Sequence, residues 1–158
     1  MKRLYSLIAM LCLVLQGIAA QNAKPFVIPE LKEWKGGTGE LILNEQTRIV
    51  YPKNQPELQR IAQMVAEDCK EMFDYTPTIA AGKGQKGDII LALKKDKKLC
   101  KEGYAINISD RLTLSAPEAV GVYWGTRTLL QMAEQSFNLP KGEIRDFPDY
   151  GIRGFMID

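Results

Sequence analysis

Residues 103–135, with the sequence GYAINISDRLTLSAPEAVGVYWGTRTLLQMAEQ, join a hairpin pattern to a helix pattern. Apolar and polar side chains alternate over 103–109 and again over 111–116, which is typical of half-buried strands. The polar pair Ser109-Asp110 between them predicts a two-residue turn. We therefore expect two antiparallel strands followed directly by a helix.

The helix is predicted over 117–135. Ser115 and Glu118 have the spacing of a capping box, in which the serine caps the helix and the glutamate lies three residues later. Gly121 and Gly125 lie four residues apart, so they are stacked on one face of this helix. Because glycine costs a helix about 1 kcal/mol relative to alanine, the pair predicts a very close approach of neighbouring backbone.

The upstream sequence predicts a second helix and three further strands. Pro56 and Glu57 are residues that favour a first helical turn, and apolar residues recur with helical spacing as far as Phe73. The predicted strands are Glu40–Leu43, Thr47–Tyr51 and Asp88–Leu93, and Thr76–Ala80 is a candidate for an additional short edge strand. The order β-β-α-β-β-β-α predicts an α/β (α+β) sandwich, with a mainly antiparallel sheet and two helices on one face.

The flanks of this domain are predicted to be irregular. Residues 21–39 contain several prolines and glycines and are interpreted as an extended lead-in to the domain at 40–143. The segment Asn138–Gly142 is predicted to be a loop. Residues 144–158 are irregular around Pro148 and then begin a new apolar strand.

Residues 1–20 have the three parts of an export signal. Lys2 and Arg3 supply the positive start, the apolar stretch 4–15 is too short to span a bilayer, and small residues end at Ala20. We expect an exported protein, periplasmic or secreted. Lipidation at Cys12 is not expected, because the preceding residue is a leucine where small residues are required.

Composition excludes several classes of site. The 158 residues contain no histidine, which removes Ser-His-Asp, Cys-His and His-metal chemistry. The net charge of +2 equals the charge of Lys2 and Arg3, so the rest of the chain is neutral and a poor candidate for binding nucleic acid. Cys69 and Cys100 are free to pair in an oxidising compartment, although Cys69 lies on an apolar helix stripe that favours a buried thiol. No metal and no cofactor are expected.

Three motifs are interpreted as structural. Residues 82–87 match G-x-G-x-x-G, but a strand pattern follows them where dinucleotide binding needs a helix N-terminus, so they predict a loop. Glu67-Asp68 is predicted to lie on the solvated side of the first helix. Asp146 and Asp149 flank Pro148 and are interpreted as turn residues. By composition and spacing alone, no active site is evident.

Three stretches together resemble glycoside hydrolase family 20, the β-N-acetylhexosaminidases. Residues 121–131, GVYWGTRTLLQ, resemble the second helix of the small α/β domain that precedes the barrel in that family, and 102–108 with 114–116 fit its hairpin. Residues 146–158, DFPDYGIRGFMID, resemble the entry to the (β/α)₈ barrel and its first strand. The resemblance covers about residues 40–158, so it implies a truncated enzyme with an incomplete barrel.

The resemblance implies substrate-assisted, retaining removal of terminal β-linked N-acetylhexosamine from glycans. It assigns Arg153 to the hydroxyls of the terminal sugar, with Asp158 in a supporting role. The Asp-Glu pair that performs catalysis in the family does not occur in the 158 residues. The chain alone is therefore expected to be inactive, without catalytic residues. Two alternatives remain open: a non-catalytic carbohydrate-associated or interaction module, and the accessory domain of another glycosidase such as an α-glucuronidase.

Overall fold

The computed structural model describes residues 20–151 and 154. Seven strands and two helices follow one another along these residues. They are β1 (Glu33–Ile42), β2 (Arg48–Tyr51), α1 (Pro56–Phe73), β3 (Thr78–Ala81), β4 (Ile89–Leu93), β5 (Tyr104–Ile108), β6 (Leu112–Ala116), α2 (Ala119–Gln135) and β7 (Asn138–Asp146). The predicted α/β fold with two helices is confirmed.

The strands form one sheet in the order β1-β7-β5-β6-β4-β2-β3. The pairs β1–β7, β7–β5 and β5–β6 are antiparallel, as expected. The pairs β6–β4, β4–β2 and β2–β3 are parallel, so the expectation of mainly antiparallel pairing holds for only half of the sheet. The crossover helix α1 accounts for the β2–β3 pair, because it returns the chain to the end of the sheet where β2 began, so that β3 runs parallel to β2.

The helices lie side by side and contact the same face of the sheet. Between helices and sheet is a closely packed core of side chains with almost no exposure to solvent. From the strands it includes Ile49, Leu91, Ile106, Leu114 and Ile144, and from the helices Leu58, Val65, Val122 and Leu129. Burial of each such side chain stabilises the fold by about 1.5–3 kcal/mol, so this core supplies the main stabilisation.

Helix α1 begins and ends where the sequence predicts. Pro56 lies in the first turn beside Glu57, and Asp74 follows the last turn in the left-handed conformation, with φ at 53°. The Asp74 amide donates to the Lys70 carbonyl at 3.1 Å, which closes the helix end. Helix α1 therefore takes its limits from local sequence.

The predicted capping box is wrong. Ser115 lies within β6, where it pairs with Ala92 of β4 and Ala105 of β5. The N-cap of α2 is Glu118, and no side chain caps it. The strand continues through Ala116 because it has a partner on each side, and the ladder hydrogen bonds outweigh a local cap.

The close approach predicted at Gly121 and Gly125 is confirmed. A methyl group added at Gly121 would lie 2.8 Å from the Ala116 side chain and also against the Gly103 carbonyl. One added at Gly125 would overlap Leu114 and lie 3.0 Å from the Tyr104 ring. The two glycines allow α2 to pack directly onto β5 and β6.

The predicted strand Glu40–Leu43 is the end of β1, whereas the first part of β1 and most of β7 occupy sequence that is predicted to be irregular. The lead-in becomes strand at Glu33, and the predicted loop at 138–142 is the first half of β7. The β1–β7 register shifts between Gly36 and Glu40, and Asn22 fills that irregularity by donating its side-chain amide to the carbonyls of Gly39 (2.7 Å) and Lys141 (2.9 Å). These strands depend on partners from distant parts of the chain. The predicted loop at 82–87 is confirmed.

Candidate functional site

The two residues that the sequence assigns to substrate, Arg153 and Asp158, lie outside the described residues. The structure instead describes the segment that leads to them, Asp146–Gly151, and the groups that hold it. No three His, Cys, Asp or Glu side chains within residues 20–151 are grouped so that they could hold a metal ion. In the same part of the chain, neither helix is long and apolar enough to cross a membrane.

Asp146, the last residue of β7, is fixed by three elements. The Tyr104 hydroxyl of β5 donates to its Oδ2 at 2.8 Å and accepts from Thr128 Oγ1 of α2 at 2.5 Å. The backbone N–H of Lys32 donates to Asp146 Oδ1 at 3.2 Å. Hydrogen bonds to an ionised carboxylate are stronger than neutral ones, so this network defines where the chain leaves the sheet.

Tyr104 is the buried centre of this network. Its side chain is only 4% exposed, and burial, together with the neighbouring Asp146 carboxylate, raises the pKa of its hydroxyl well above the ordinary value. The hydroxyl therefore stays protonated and remains a donor to Asp146. The alternation over 103–109 puts Tyr104 on the same strand face as Ile106 and Ile108, and a buried tyrosine hydroxyl requires a partner. The need of this hydroxyl for a partner is the feature of the sequence from which the network could have been predicted.

Lys32 holds the rest of the segment. Its ammonium group forms an ion pair with Asp149 and lies 5.3 Å from the centroid of the Phe147 ring. The Phe147 side chain in turn packs close to Gly103, where an added methyl would lie 3.1 Å from its Cβ. Asp146 and Asp149 thus have structural roles, but Asp146 acts from the end of β7, where the sequence predicts a turn residue. No feature of the sequence around Lys32 predicts that this side chain holds the segment after β7.

A cleft of about 480 Å³ lies beside this segment, between the lead-in and α2. Its polar groups are largely engaged within the protein. Arg127 of α2 forms an ion pair with Asp68 of α1 (Nη2–Oδ2, 2.6 Å) and lies 4.8 Å from the centroid of the Tyr123 ring. The solvated role expected for Asp68 is therefore wrong, because Arg127 reaches it from the neighbouring helix. The described residues that line the cleft hold the lead-in, α2 and the segment after β7 together, and they include no catalytic constellation.

Both cysteines that follow the predicted signal are free thiols. Cys69 is half-buried on α1 and Cys100 is exposed in the loop after β4. Burial, with a contribution from the nearby Asp68 carboxylate, raises the pKa of the Cys69 thiol to about 11. Cys69 is therefore protonated at neutral pH and is a poor nucleophile.

Comparison with known proteins identifies the domain. Residues 24–147 match the model of glycosyl hydrolase family 20, domain 2. A lacto-N-biosidase from Bifidobacterium bifidum is 33% identical over 85% of this chain, which corresponds to 12% of that protein. A beta-hexosaminidase from Porphyromonas gingivalis is 27% identical over all of this chain, which corresponds to 23% of its own length.

The fold has counterparts among solved structures. A Streptomyces plicatus N-acetyl-beta-hexosaminidase superposes with a TM-score of 0.70 at 22% identity, over 84% of this chain and 28% of that one. The chain thus spans less than a third of each of these relatives. Since the family model matches most of the chain and the 33% identical relative covers 85% of it, this chain belongs to glycosyl hydrolase family 20.

Proposed function

We propose that these residues form the accessory α/β domain and the first barrel strand of a β-N-acetylhexosaminidase. The observation that carries the proposal is one of sequence order: the family 20 match over 24–147 is followed within a few residues by Arg-Gly-Phe-Met-Ile-Asp at 153–158. Relatives named as hexosaminidases support the same class of activity. The substrates are glycans that end in a β-linked N-acetylhexosamine.

In this proposal Arg153 binds the terminal sugar and Asp158 supports it. A guanidinium group presents several N–H donors in one plane, which suits neighbouring hydroxyls on a pyranose ring. The reaction is retaining, and the acetamido group of the substrate acts as the nucleophile. No cofactor or metal takes part.

In this proposal the described domain positions the segment that leads to Arg153. Lys32, Tyr104 and Thr128 hold the segment from Asp146 to Asp149, and only three residues separate Asp149 from Arg153. In this proposal these contacts set the direction in which the chain leaves β7 toward the barrel strand. Placement of a binding group to within a fraction of an ångström matters for rate, which gives the domain a function without a catalytic residue of its own.

The 158-residue chain is proposed to be inactive by itself. The sequence contains no Asp-Glu dipeptide to supply the general acid, and positioned proton transfer alone contributes about 10²- to 10⁴-fold to rate. Arg153 alone is able only to bind, and a single arginine competes with water for each hydrogen bond that it offers.

The test is hydrolysis of 4-nitrophenyl N-acetyl-β-glucosaminide. The protein encoded by the whole gene should release nitrophenol with retained anomeric configuration, and the 158-residue chain should not. In the active protein Arg153→Ala should lower kcat/KM by about 100-fold, the loss of two charged hydrogen bonds. The control Arg60→Ala changes an exposed arginine of α1 and should have no effect. Absence of activity from the whole-gene protein, or turnover by the short chain that Arg153→Ala abolishes, would overturn the proposal.

Export is part of the same proposal. Asn22 supports cleavage near Ala20, because its backbone N–H donates to the Gly37 carbonyl at 2.7 Å and its side chain fills the β1 irregularity. A new N-terminus at Ala20 or Gln21 keeps this residue, whereas a cut beyond it removes an anchor of β1. N-terminal sequencing of the exported product checks the position, and a start beyond Asn22 would contradict it.

A further inference from the structure

A groove of about 880 Å³ lies between the C-terminal halves of α1 and α2 and the loop before β2. We name it the Phe73–Phe137 groove after the rings at its side. Its volume is within the range of about 300–1,000 Å³ that is usual for small-molecule sites. Its inner wall is apolar and is formed by Val65, Leu129, Leu130 and Ala133. It shares no residue with the segment that leads to Arg153, so it is independent of the proposed function.

Three aromatic side chains line the groove. The rings of Phe73 and Phe137 pack edge to face with centroids 5.2 Å apart, joining the end of α1 to the start of β7. The Tyr75 hydroxyl lies 3.1 Å from the carbonyl oxygens of both Asn44 and Thr47, so it fixes the loop at the rim. The groove is therefore formed before any ligand enters, which lowers the entropic cost of binding.

The charges that line the groove have one sign. Glu45 and Asp74 are exposed carboxylates on its lining, and no Lys or Arg is among the described residues that line it. Within residues 20–151 neither carboxylate forms an ion pair. An anionic ligand such as a fatty acid would be repelled here, whereas a cation finds two carboxylates and three aromatic rings.

We propose that the Phe73–Phe137 groove binds a small organic ammonium ion with an apolar body. The apolar body packs against the inner wall, and the ammonium group lies between the aromatic rings and the two carboxylates. Aromatic faces attract alkylammonium groups electrostatically, and this attraction strengthens as the site loses water. A bare metal ion would gain nothing from the apolar wall, and a neutral apolar molecule would leave the carboxylates unused.

Calorimetric titration of the full chain with octyltrimethylammonium and with octyl sulfate, both below micelle formation, tests the charge preference. The cation should bind at least about tenfold more tightly than the anion. The double variant Glu45→Gln, Asp74→Asn should bring the two affinities to within about threefold, and asparagine tolerates the left-handed backbone of position 74. The matched control Glu67→Gln, an exposed acid of α1 outside the groove, should keep the preference. Equal affinity of the unmodified chain for the two probes would overturn the proposal.

Two further measurements place the probe in the groove. Ala133→Phe fills the cavity and should abolish binding of octyltrimethylammonium. If that variant fails to fold, labelling of the unmodified chain with N-ethylmaleimide at mildly alkaline pH gives the same information. The probe should slow labelling of Cys69, which lines the groove, and leave the exposed Cys100 unchanged. Binding that survives Ala133→Phe, or that leaves the labelling of Cys69 unaltered, would overturn the proposal.

Discussion

Gln131 of α2 and Ile28 of the lead-in are joined by two hydrogen bonds although 103 residues separate them. The Ile28 backbone N–H donates to Gln131 Oε1 at 2.9 Å, and Gln131 Nε2 donates to the Ile28 carbonyl at 3.0 Å. The side-chain amide thus pairs with the extended backbone as a neighbouring strand would. The lead-in is held along α2 by this contact before it reaches Lys32.

Gln131→Ala should release the lead-in. Two exposed hydrogen bonds are lost, which we expect to lower the free energy of unfolding by about 1 kcal/mol. Hydrogen exchange at the Ile28 amide should become markedly faster, while exchange within β5 is unchanged. The control Gln63→Ala alters an exposed glutamine of α1 and should affect neither measurement. Unchanged exchange at Ile28 in Gln131→Ala would contradict the assigned contact.

Tyr104→Phe should destabilise the domain by about 1–3 kcal/mol. The substitution keeps the ring and removes the hydroxyl, so Asp146 Oδ2 and Thr128 Oγ1 lose their common partner. Urea unfolding measures the loss. Tyr123→Phe is the matched control, because its ring packs against Trp124 and Arg127 and no hydrogen bond of its hydroxyl is described within residues 20–151. Equal effects of the two variants would show that the hydroxyl network contributes nothing.

Gly125→Ala should lower stability although alanine favours helices. The added methyl would overlap Leu114 and press on the Tyr104 ring, and overpacking of this kind costs about 1–3 kcal/mol, more than the gain of about 1 kcal/mol in helix propensity. Thermal denaturation shows whether Gly125→Ala lowers or raises the stability of the domain. Gly151→Ala, where nothing lies within 4 Å of the added methyl, should change stability by less than about 0.5 kcal/mol. A stabilised Gly125→Ala variant would show that α2 can move away from the sheet.

Stability should fall in acid partly through Asp88. Both oxygens of this buried carboxylate accept from Arg48, Oδ1 from Nε at 3.0 Å and Oδ2 from Nη2 at 2.7 Å. The Arg48 side chain, helped by the Gln85 backbone N–H, holds the pKa of Asp88 below its ordinary value. Because the pKa of Asp88 is lower in the folded state, its contact with Arg48 contributes its full stabilisation above about pH 4, the pKa of this carboxyl in the unfolded chain. The stabilisation is lost as the pH falls through the pKa of the folded state.

Asp88→Asn should therefore be less stable than the unmodified chain at neutral pH by about 1–3 kcal/mol, and the difference should shrink in acid. Urea unfolding at a series of pH values measures it. The control is Glu67→Gln, which changes an exposed acid of α1 that forms no ion pair within residues 20–151 and should leave the pH profile unchanged. A constant difference between Asp88→Asn and the unmodified chain at every pH would contradict the assigned ionic contact.

The amino-acid sequence alone determined those features that local interactions control. Helix α1 follows from Pro56 and its apolar stripe, and the hairpin β5–β6 follows from alternation around Ser109-Asp110. The Gly121 and Gly125 pair predicted a contact because glycine in a helix has a cost that only close packing offsets. The family resemblance came from the same region and from 146–158, so it was also available from sequence.

Only the tertiary structure decided the outer strands and the groups that hold Asp146. Strand β1 contains three glycines and lacks regular alternation, and it becomes a strand because β7 satisfies its backbone hydrogen bonds and Asn22 fills its irregular stretch. Ser115 has a capping spacing but lies in β6, because partners on both sides extend that strand. In each case the deciding partner belongs to another element, and a strand gains its hydrogen bonds only when that partner is in place.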